Sequence, residues 1–377
     1  AEHLAKGDEL AEKEHYTLAF NEYVLANKLN PDAAEPLLKI GKLHLRRKDT
    51  EKAREIFQHI LAKNSNDLEA NINLGRTYIL DGKIGKALEI FNSVEEKNTL
   101  INYYKGLLNI YFENYETGKQ FLREILESEA SGDLKKNAEN FLKSFELFSA
   151  SQGGKTTYLK TLLGKNFNEA EEYDLAIPLL FNVVKEKKDY RDAWILLGYA
   201  YLNKNDAKNA IAALEEAKKL DPYKAESLFF LGMAHQMDGQ KEKAIALIED
   251  ALEKGFEPKI QGKQKLAELY LETGNYQKAA EKYEEVIEIN SDDLEYFIRP
   301  LWLYIDKTKN AQKALEIAKK AIEKHPEKAM SFNLLGWALL ANKDYEGAKE
   351  NLTKALEKDP ALSGAYLNFG KLFEEIG

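Results

Sequence analysis

A short run of small residues before a lysine, Gly153-Gly154-Lys155-Thr156, is the segment of this chain that most suggests phosphate chemistry. A phosphate-binding loop wraps backbone N–H groups around phosphates, and it needs a further glycine five residues before the glycine of its Gly-Lys pair. That position holds Ser149, and the preceding residues have the pattern of a helix rather than of the strand that such a loop follows. We therefore interpret the segment as a Gly/Ser-rich linker.

Histidine, cysteine and carboxylate side chains give no catalytic or metal-binding pattern. The six histidines are His3, His15, His44, His59, His235 and His325. No two of them have a His-x3-His spacing, and no cysteine is present to bind zinc or to act as a nucleophile. The carboxylates follow the surface spacing of helices, often beside lysine, as in Glu281-Lys282. We predict a non-enzymatic protein with no metal site and no cofactor.

Composition excludes several classes of protein. The 377 residues carry 54 Lys plus Arg against 63 Asp plus Glu, a net charge of −9, whereas nucleic-acid binding needs a concentrated basic excess. Hydrophobic residues make up 44% of the chain, which is enough for a packed core. No apolar run is long enough to span a membrane. The first residues contain neither a basic region nor the apolar core of a signal peptide.

An internal period of 34 residues indicates the architecture. Glycines recur at this spacing in three blocks: Gly7, Gly41 and Gly75; Gly164, Gly198 and Gly232; Gly336 and Gly370. Twelve residues after most of these glycines stands an alanine: Ala19, Ala53, Ala87, Ala176, Ala210, Ala244 and Ala348. A large side chain follows four residues later: Tyr23, Phe57, Phe91, Leu180, Leu214, Ile248 and Leu352. Small residues at fixed positions let two antiparallel helices approach closely.

The unit at 192–222 is a complete example of the repeat. Its marker residues are Trp194, Leu197, Gly198, Tyr201, Ala210, Leu214 and Pro222. The first four lie on one helical face, Asp206 can cap the second helix, and Pro222 ends it. This set of spacings resembles the tetratricopeptide repeat family, with about ten repeats plus a terminal half-repeat. The resemblance implies an all-α fold, an α-solenoid of antiparallel helix pairs stacked into a superhelix with a concave groove.

The repeat is interrupted in the middle of the chain. Gly164 follows Gly106 by 58 residues, which leaves 24 residues beyond one repeat, enough for one added helix at about 133–148 and a linker. We therefore predict an N-terminal array over 1–130, with about four repeats of which the fourth is degenerate. An extra helix and linker follow over 131–156. The C-terminal array covers 157–377, with six repeats and a final half-repeat.

Two further departures from the pattern have structural consequences. Trp302 occupies the place of the small first-helix residue, which predicts a local adjustment in packing. The chain ends on a first helix with an apolar face that includes Tyr366 and Phe373. That helix is either a cap or the start of a further unit, and we favour continuation of the natural protein.

The resemblance also implies which residues face the groove: those three before and one, four and five after the repeat glycine. In the second array the candidate partner-binding residues are Tyr199, Leu202, Phe229, Met233, Gln236, Met237 and Trp337. This Met- and aromatic-bearing stripe suits recognition of an apolar helix or extended peptide. The alternative is that these side chains only complete the core. The corresponding sites of the first array are Asp8, Lys42 and Arg76, and they lack the Lys–Asn clamp for chaperone tails.

The function predicted on these grounds is a protein–protein interaction scaffold that binds a peptide or helical segment of a partner in the groove. Two alternatives stay open: a targeting or regulatory region of a larger enzyme, and a self-associating component of a bacterial envelope or appendage assembly. We expect a protein or peptide partner, with no nucleic acid, no membrane span and no small-molecule substrate. Residue usage is typical of an AT-rich bacterial genome, and the compartment stays open between cytoplasm and cell envelope.

Overall fold

The computed structural model describes residues 1–129, 132–151 and 155–377, and these form two compact units, Ala1–Lys188 and Asp189–Gly377. The regular structure of the described residues is helical throughout, without a strand. The first unit contains α1 (Glu2–Glu12), α2 (Tyr16–Leu29), α3 (Ala34–Arg46), α4 (Thr50–Lys63), α5 (Leu68–Leu80), α6 (Ile84–Ser93), α7 (Thr99–Tyr111), α8 (Tyr115–Glu127), α9 (Asp133–Ala150), α10 (Thr156–Glu169) and α11 (Tyr173–Glu186).

The second unit continues the same alternation of helices and short turns. It contains α12 (Arg191–Asn203), α13 (Ala207–Leu220), α14 (Ala225–Met237), α15 (Lys241–Glu253), α16 (Lys259–Glu272), α17 (Tyr276–Ile289), α18 (Glu295–Trp302), α19 (Ala311–Lys324), α20 (Ala329–Ala341), α21 (Tyr345–Lys358) and α22 (Ser363–Ile376). A π-helical segment, Leu303–Lys307, follows α18 directly.

Short turns make consecutive helices pack side by side as antiparallel pairs. The pairs are α1–α2, α3–α4, α5–α6, α7–α8, α10–α11, α12–α13, α14–α15, α16–α17, α18–α19 and α20–α21, while α9 and α22 stand outside this pairing. The prediction of ten repeats and a terminal half-repeat is therefore confirmed. The structure has a helix, α9, where the sequence predicts the added helix at about 133–148.

The repeat glycine and alanine form the contact line in most of the helix pairs. A methyl group added at Gly198 would lie 2.4 Å from Cγ of Leu214, and one added at Gly75 would lie 2.4 Å from Cζ of Phe91. Ala210, on the facing helix of the Gly198 pair, is fully buried. The large side chain of the second helix thus fills the space that the missing Cβ leaves, which is why small and large residues alternate at fixed spacing.

The turns between paired helices use one repeated geometry. Asn205 has a left-handed φ of 58°, a conformation that asparagine tolerates better than most residues. The next residue, Asp206, accepts a hydrogen bond from the backbone N–H of Asn209 at 3.1 Å and so caps α13, as the sequence predicts. A left-handed residue followed by an N-cap reverses the chain within three residues and aligns the second helix on the first.

In the second unit, three of the five neighbouring pairs of first helices lie closer together than any two second helices do. α12 contacts α14, and α20 contacts both α18 and α22, whereas no two second helices of this fully described unit touch to the same extent. Helices on the inner side of a curved stack are the ones that crowd together. The first helices α12, α14, α16, α18, α20 and α22 therefore form the inner face of the second unit.

The boundary between the units differs from the division expected at 130–156. It falls after Lys188, because α9 continues the stack by packing on both α8 and α10. Phe141 of α9 meets Phe167 of α10 with ring centroids 4.9 Å apart, and Phe145 of α9 meets Tyr115 of α8 at 5.4 Å. The predicted linker lies partly outside the described residues, as do both glycines of the Gly-Gly-Lys-Thr run.

Candidate functional site

Five of the seven predicted groove residues lie at the surface of the second unit's inner face. Met237 at the end of α14 is 41% exposed, and Met233 and Gln236 on the same helix are partly buried. Tyr199 on α12 and Trp337 on α20 are also partly buried. The structure therefore brings a methionine pair on α14 beside an aromatic residue on the preceding first helix, and it places a second aromatic further along the same face.

Leu202 and Phe229 belong to the core instead. Leu202 is 5% exposed and Phe229 has no exposed surface. The Phe229 ring stacks on Phe256, with centroids 3.9 Å apart and planes 16° from parallel. Phe256 lies in the turn after α15, outside the repeat register, and it covers a position that the register alone would leave open to the groove. Direct contact of Phe229 with a partner would require this stack to open.

Several side chains of the inner face are tied to the next first helix along the stack. The Gln236 amide donates a hydrogen bond to Glu272 of α16 at 3.0 Å, and Lys241, at the start of the second helix α15, also pairs with Glu272 at 3.1 Å. The Lys371 ammonium of α22 lies 5.2 Å from the Trp337 ring centre, within the range of a cation–π contact. These links restrict the rotamers of the surface residues before a partner binds. The loss of side-chain entropy on binding is therefore smaller.

Sequence reasoning missed a pocket of about 630 Å³ between α16 and α18 on this inner face. Arg299, Tyr296 and Trp302 of α18 line it opposite Gln264 and Glu268 of α16, and Tyr283 of α17 lies in its lining. The sequence does contain a signal for this pocket, which is the register position of Arg299. With Trp302 in the place of the repeat glycine, Arg299 falls three residues before it, which is a groove position of the same register.

The first unit has a more highly charged inner groove, with a volume of about 1140 Å³ lined by α1, α3, α5 and the α10–α11 turn. Asp8 accepts hydrogen bonds from Lys39 at 2.8 Å and from the Tyr23 hydroxyl at 2.7 Å. Burial disfavours the ionised carboxyl, but these two donors outweigh it and lower the pKa of Asp8. Lys42 pairs with Glu69. Ion pairs therefore neutralise Asp8, Lys39 and Lys42 of this groove.

Glu172, at the N-terminus of α11, is the most perturbed acid of the first unit. Burial raises its pKa to about 7, although the positive charge of Arg76 and a hydrogen bond from Tyr104 act in the opposite direction. Arg76 itself is exposed and makes no ion pair with the residues that the structure describes. A carboxyl held near Arg76 can thus change charge at neutral pH, which affects stability as discussed below.

The histidines and carboxylates form no metal centre in the described part of the chain, because no three of them converge as metal ligands. His235 is 7% exposed on α14, and burial lowers its pKa. His44 lies 3.2 Å from Asp49 and meets the Phe20 ring edge-on. Both are packing positions, as their place in the repeat predicts. None of the described helices combines the length and apolarity that crossing a membrane requires.

Curated relatives of this chain include proteins of several systems. The peroxisomal targeting signal receptor of Saccharomyces cerevisiae is 24% identical over 281 residues, which are 67% of this chain and 44% of that protein. Superkiller complex protein 3 of Homo sapiens is 26% identical over 271 residues, 70% of this chain and 16% of that protein. The chain thus spans less than half the length of these relatives.

Solved structures to which this chain is similar include YrrB, described as a TPR protein with an unusual peptide-binding site. It is 20% identical, covers 50% of this chain and 95% of its own, and superposes with a TM-score of 0.41. Family models described as tetratricopeptide repeat match residues 44–109, 161–225, 261–293 and 317–350, together just over half of the chain. With the helix pairs and their glycine–alanine contact lines, these matches establish that the chain belongs to the tetratricopeptide repeat family.

Proposed function

We propose that this chain is a non-catalytic scaffold that holds a peptide or helical segment of a partner protein on the inner face of its second unit. The observation that carries the proposal is the row of partly exposed apolar side chains on the first helices α12, α14 and α20. They are Tyr199, Met233, Met237 and Trp337. Met237 is 41% exposed and the other three side chains are partly exposed, so part of the apolar surface of this row is available to a partner.

The chemistry of the row suits a protein ligand. Methionine side chains are flexible and polarizable, and they adapt to irregular apolar surfaces, while aromatic residues supply large contact areas at little conformational cost. Met233 and Met237 lie one turn apart on α14, so one helix of a partner could contact both. Phe229 supports this surface from below by its stack on Phe256.

The relatives are consistent with a role in protein interaction. One is described as a targeting signal receptor and another as a member of a protein complex. Those descriptions name no common partner, and we extend from them to this chain only the binding of a protein segment. Bacterial origin and compartment stay predictions from residue usage.

Self-association is a second candidate, favoured by the outer surface of α22. Four large apolar residues of this helix are more than half exposed: Tyr366, Leu367, Phe373 and Ile376. Light scattering over a range of protein concentrations tests this candidate. A mass that rises with concentration would support self-association, and a constant monomer mass would contradict it.

Affinity capture with a groove variant tests the scaffold proposal. The double substitution Met233→Glu and Met237→Glu places two charges in the apolar row, and we expect captured partners from lysate of the source organism to fall about tenfold or more. The matched control is Ala246→Glu, at an exposed site on the second helix α15. Circular dichroism checks that both variants stay folded. Equal capture by both folded variants would contradict a binding surface on the inner face.

A further inference from the structure

The pocket between α16 and α18 contains a positive charge that the chain does not neutralise. The Arg299 guanidinium is exposed, and it forms no ion pair or hydrogen bond with any residue in the described part of the chain. The Glu268 carboxylate, across the pocket, forms an ion pair with Lys265 at 2.6 Å. Glu295, one turn before Arg299 on α18, also lines the pocket but is not within ion-pair distance of Arg299. A permanently charged, five-donor group thus faces the pocket without a partner.

Two neutral donors line the same pocket. Tyr283 is 7% exposed, and its hydroxyl makes no hydrogen bond within this fully described unit. Burial raises the pKa of Tyr283 while the charge of Arg299 lowers it, which is consistent with a guanidinium close to the hydroxyl. The Gln264 amide also lines the pocket without a hydrogen-bond partner among these residues. The guanidinium, the hydroxyl and the amide together provide three kinds of hydrogen-bond donor for one acceptor group.

Two aromatic side chains of α18 line the pocket together with Ile298. Tyr296 and Trp302 are partly buried on the core of the second unit and leave part of their rings open to the pocket. Trp302 stands where most repeats have a small residue, and the helix after it widens to the π-helical segment Leu303–Lys307. Single π-helical turns occur frequently at functional sites. This irregularity places an indole beside Arg299, where a regular repeat would have no large side chain.

We propose that this pocket takes an acidic side chain of the bound segment together with an aromatic or large aliphatic residue next to it in sequence. The carboxylate accepts hydrogen bonds from the Arg299 guanidinium and the Tyr283 hydroxyl. The neighbouring apolar side chain of the segment packs on the rings of Trp302 and Tyr296. Arg299 favours a carboxylate, although Glu295 also lines the pocket, since the guanidinium has no ion-pair partner among the described residues and guanidinium–carboxylate pairs are geometrically specific.

The inference rests on the proposed peptide-binding function of the same inner face. That face continues on both sides of the pocket, to Met237 on α14 and to Trp337 on α20. A segment lying along it would therefore pass through the pocket rather than end there. For this reason we assign the carboxylate to an internal aspartate or glutamate side chain and not to a chain terminus.

Selection from a library of random twelve-residue peptides, displayed with both ends fused, tests the inference on the full chain. We expect the enriched peptides to contain Asp or Glu next to Phe, Tyr, Trp or Leu. Resynthesised with blocked termini, they should bind Arg299→Gln about tenfold or more weakly than the parent, because a charged hydrogen-bonded pair is lost. The matched control Glu295→Gln removes a nearby negative charge, so it should bind equally well or better.

The outcomes separate this inference from the proposed function. Peptides that lose binding to Met237→Glu but keep it with Arg299→Gln would overturn the acidic-residue assignment and leave the groove proposal standing. The same conclusion would follow if changing the peptide's Asp to Asn had no effect, or if only a free C-terminal carboxylate bound. A library with no enriched peptide would contradict both. Circular dichroism of Arg299→Gln, an exposed site, checks that weakened binding does not reflect unfolding.

Discussion

At the scale of single residues, the distinction that matters most is between groove positions that are open and groove positions that are covered. Met233, Met237 and Trp337 keep exposed surface, whereas Phe229 at an equivalent register position is covered by Phe256. Sequence periodicity predicts a groove position on α14 for Phe229. It cannot reveal the cover, because Phe256 comes from a turn that does not follow the 34-residue register.

Alanine substitution separates these two kinds of position. Phe229→Ala removes a fully buried ring, so we expect it to lower the free energy of unfolding by about 3–5 kcal/mol. Met237→Ala, at a 41% exposed site on the same helix, should stay within about 0.5 kcal/mol of the parent. Urea unfolding followed by circular dichroism measures both. Equal effects of the two substitutions would contradict the placement of Phe229 in the core.

The raised pKa of Glu172 gives a pH-dependent contribution to stability. Its folded-state pKa is about 7, above the ordinary value of 4.5, so folding favours the protonated carboxyl. The resulting stabilisation is present below pH 4.5 and is lost as pH rises towards and through 7. Glu172→Gln keeps a neutral acceptor for Tyr104, and it should therefore stabilise the protein by about 1–2 kcal/mol at pH 8 and by less at pH 5.

Melting temperatures of the parent and Glu172→Gln at pH 5, 6, 7 and 8 measure this effect. The difference between the two proteins should widen as pH rises. Glu171→Gln, at the exposed neighbouring residue, is the matched control and should show no such trend. A difference that stays constant with pH would contradict a carboxyl that titrates near neutrality.

At the scale of helices, the spacing of small residues predicts pairing because each pair repeats the same close contact. The Gly198–Leu214 contact of α12 and α13 is one instance, with buried Ala210 one turn before Leu214. The extra helix α9 was predictable from the residues left over between two glycines. Its role in joining α8 to α10 was not, because the aromatic contacts of Phe141 and Phe145 belong to no repeat.

Overpacking this contact line tests the helix register. Ala210→Leu adds a large side chain where α12 and α13 touch, and we expect a loss of about 1–3 kcal/mol. Ala212→Leu, two residues along the same helix and exposed, is the matched control and should have little effect. Thermal unfolding of the two variants provides the comparison. An unchanged melting temperature for Ala210→Leu would mean that the two helices do not meet at this residue.

At the scale of the whole molecule, the family and the number of repeats follow from sequence, whereas the division into units does not. Repeats stack on their neighbours by similar contacts all along a solenoid, so local sequence signals hardly mark where one compact unit ends. The linker at 149–156 was the expected division, yet the unit boundary lies after Lys188. The groove position of Arg299 was not predicted for a related reason. Its repeat has Trp302 in place of the glycine from which groove positions are counted.

Limited proteolysis examines the organisation of the chain. The Gly/Ser-rich composition of 149–156 predicts the first cut there, with fragments close to 1–150 and 157–377 by mass spectrometry. Turns within helix pairs are only a few residues long and should resist cleavage. A first cut inside 192–360 would contradict the expectation that the second unit is a continuous stack of pairs.

Site-specific photo-crosslinking tests the central claim, that a partner segment lies on the inner face of the second unit. A photoreactive amino acid replaces Met237 on α14 in one protein and Lys243, exposed on the second helix α15, in the other. Both proteins are mixed with source lysate and irradiated, and the adducts are identified by mass spectrometry. We predict that position 237 crosslinks to a defined peptide of a partner and that position 243 does not. Equal crosslinking from both positions, or adducts from position 243 alone, would contradict the account.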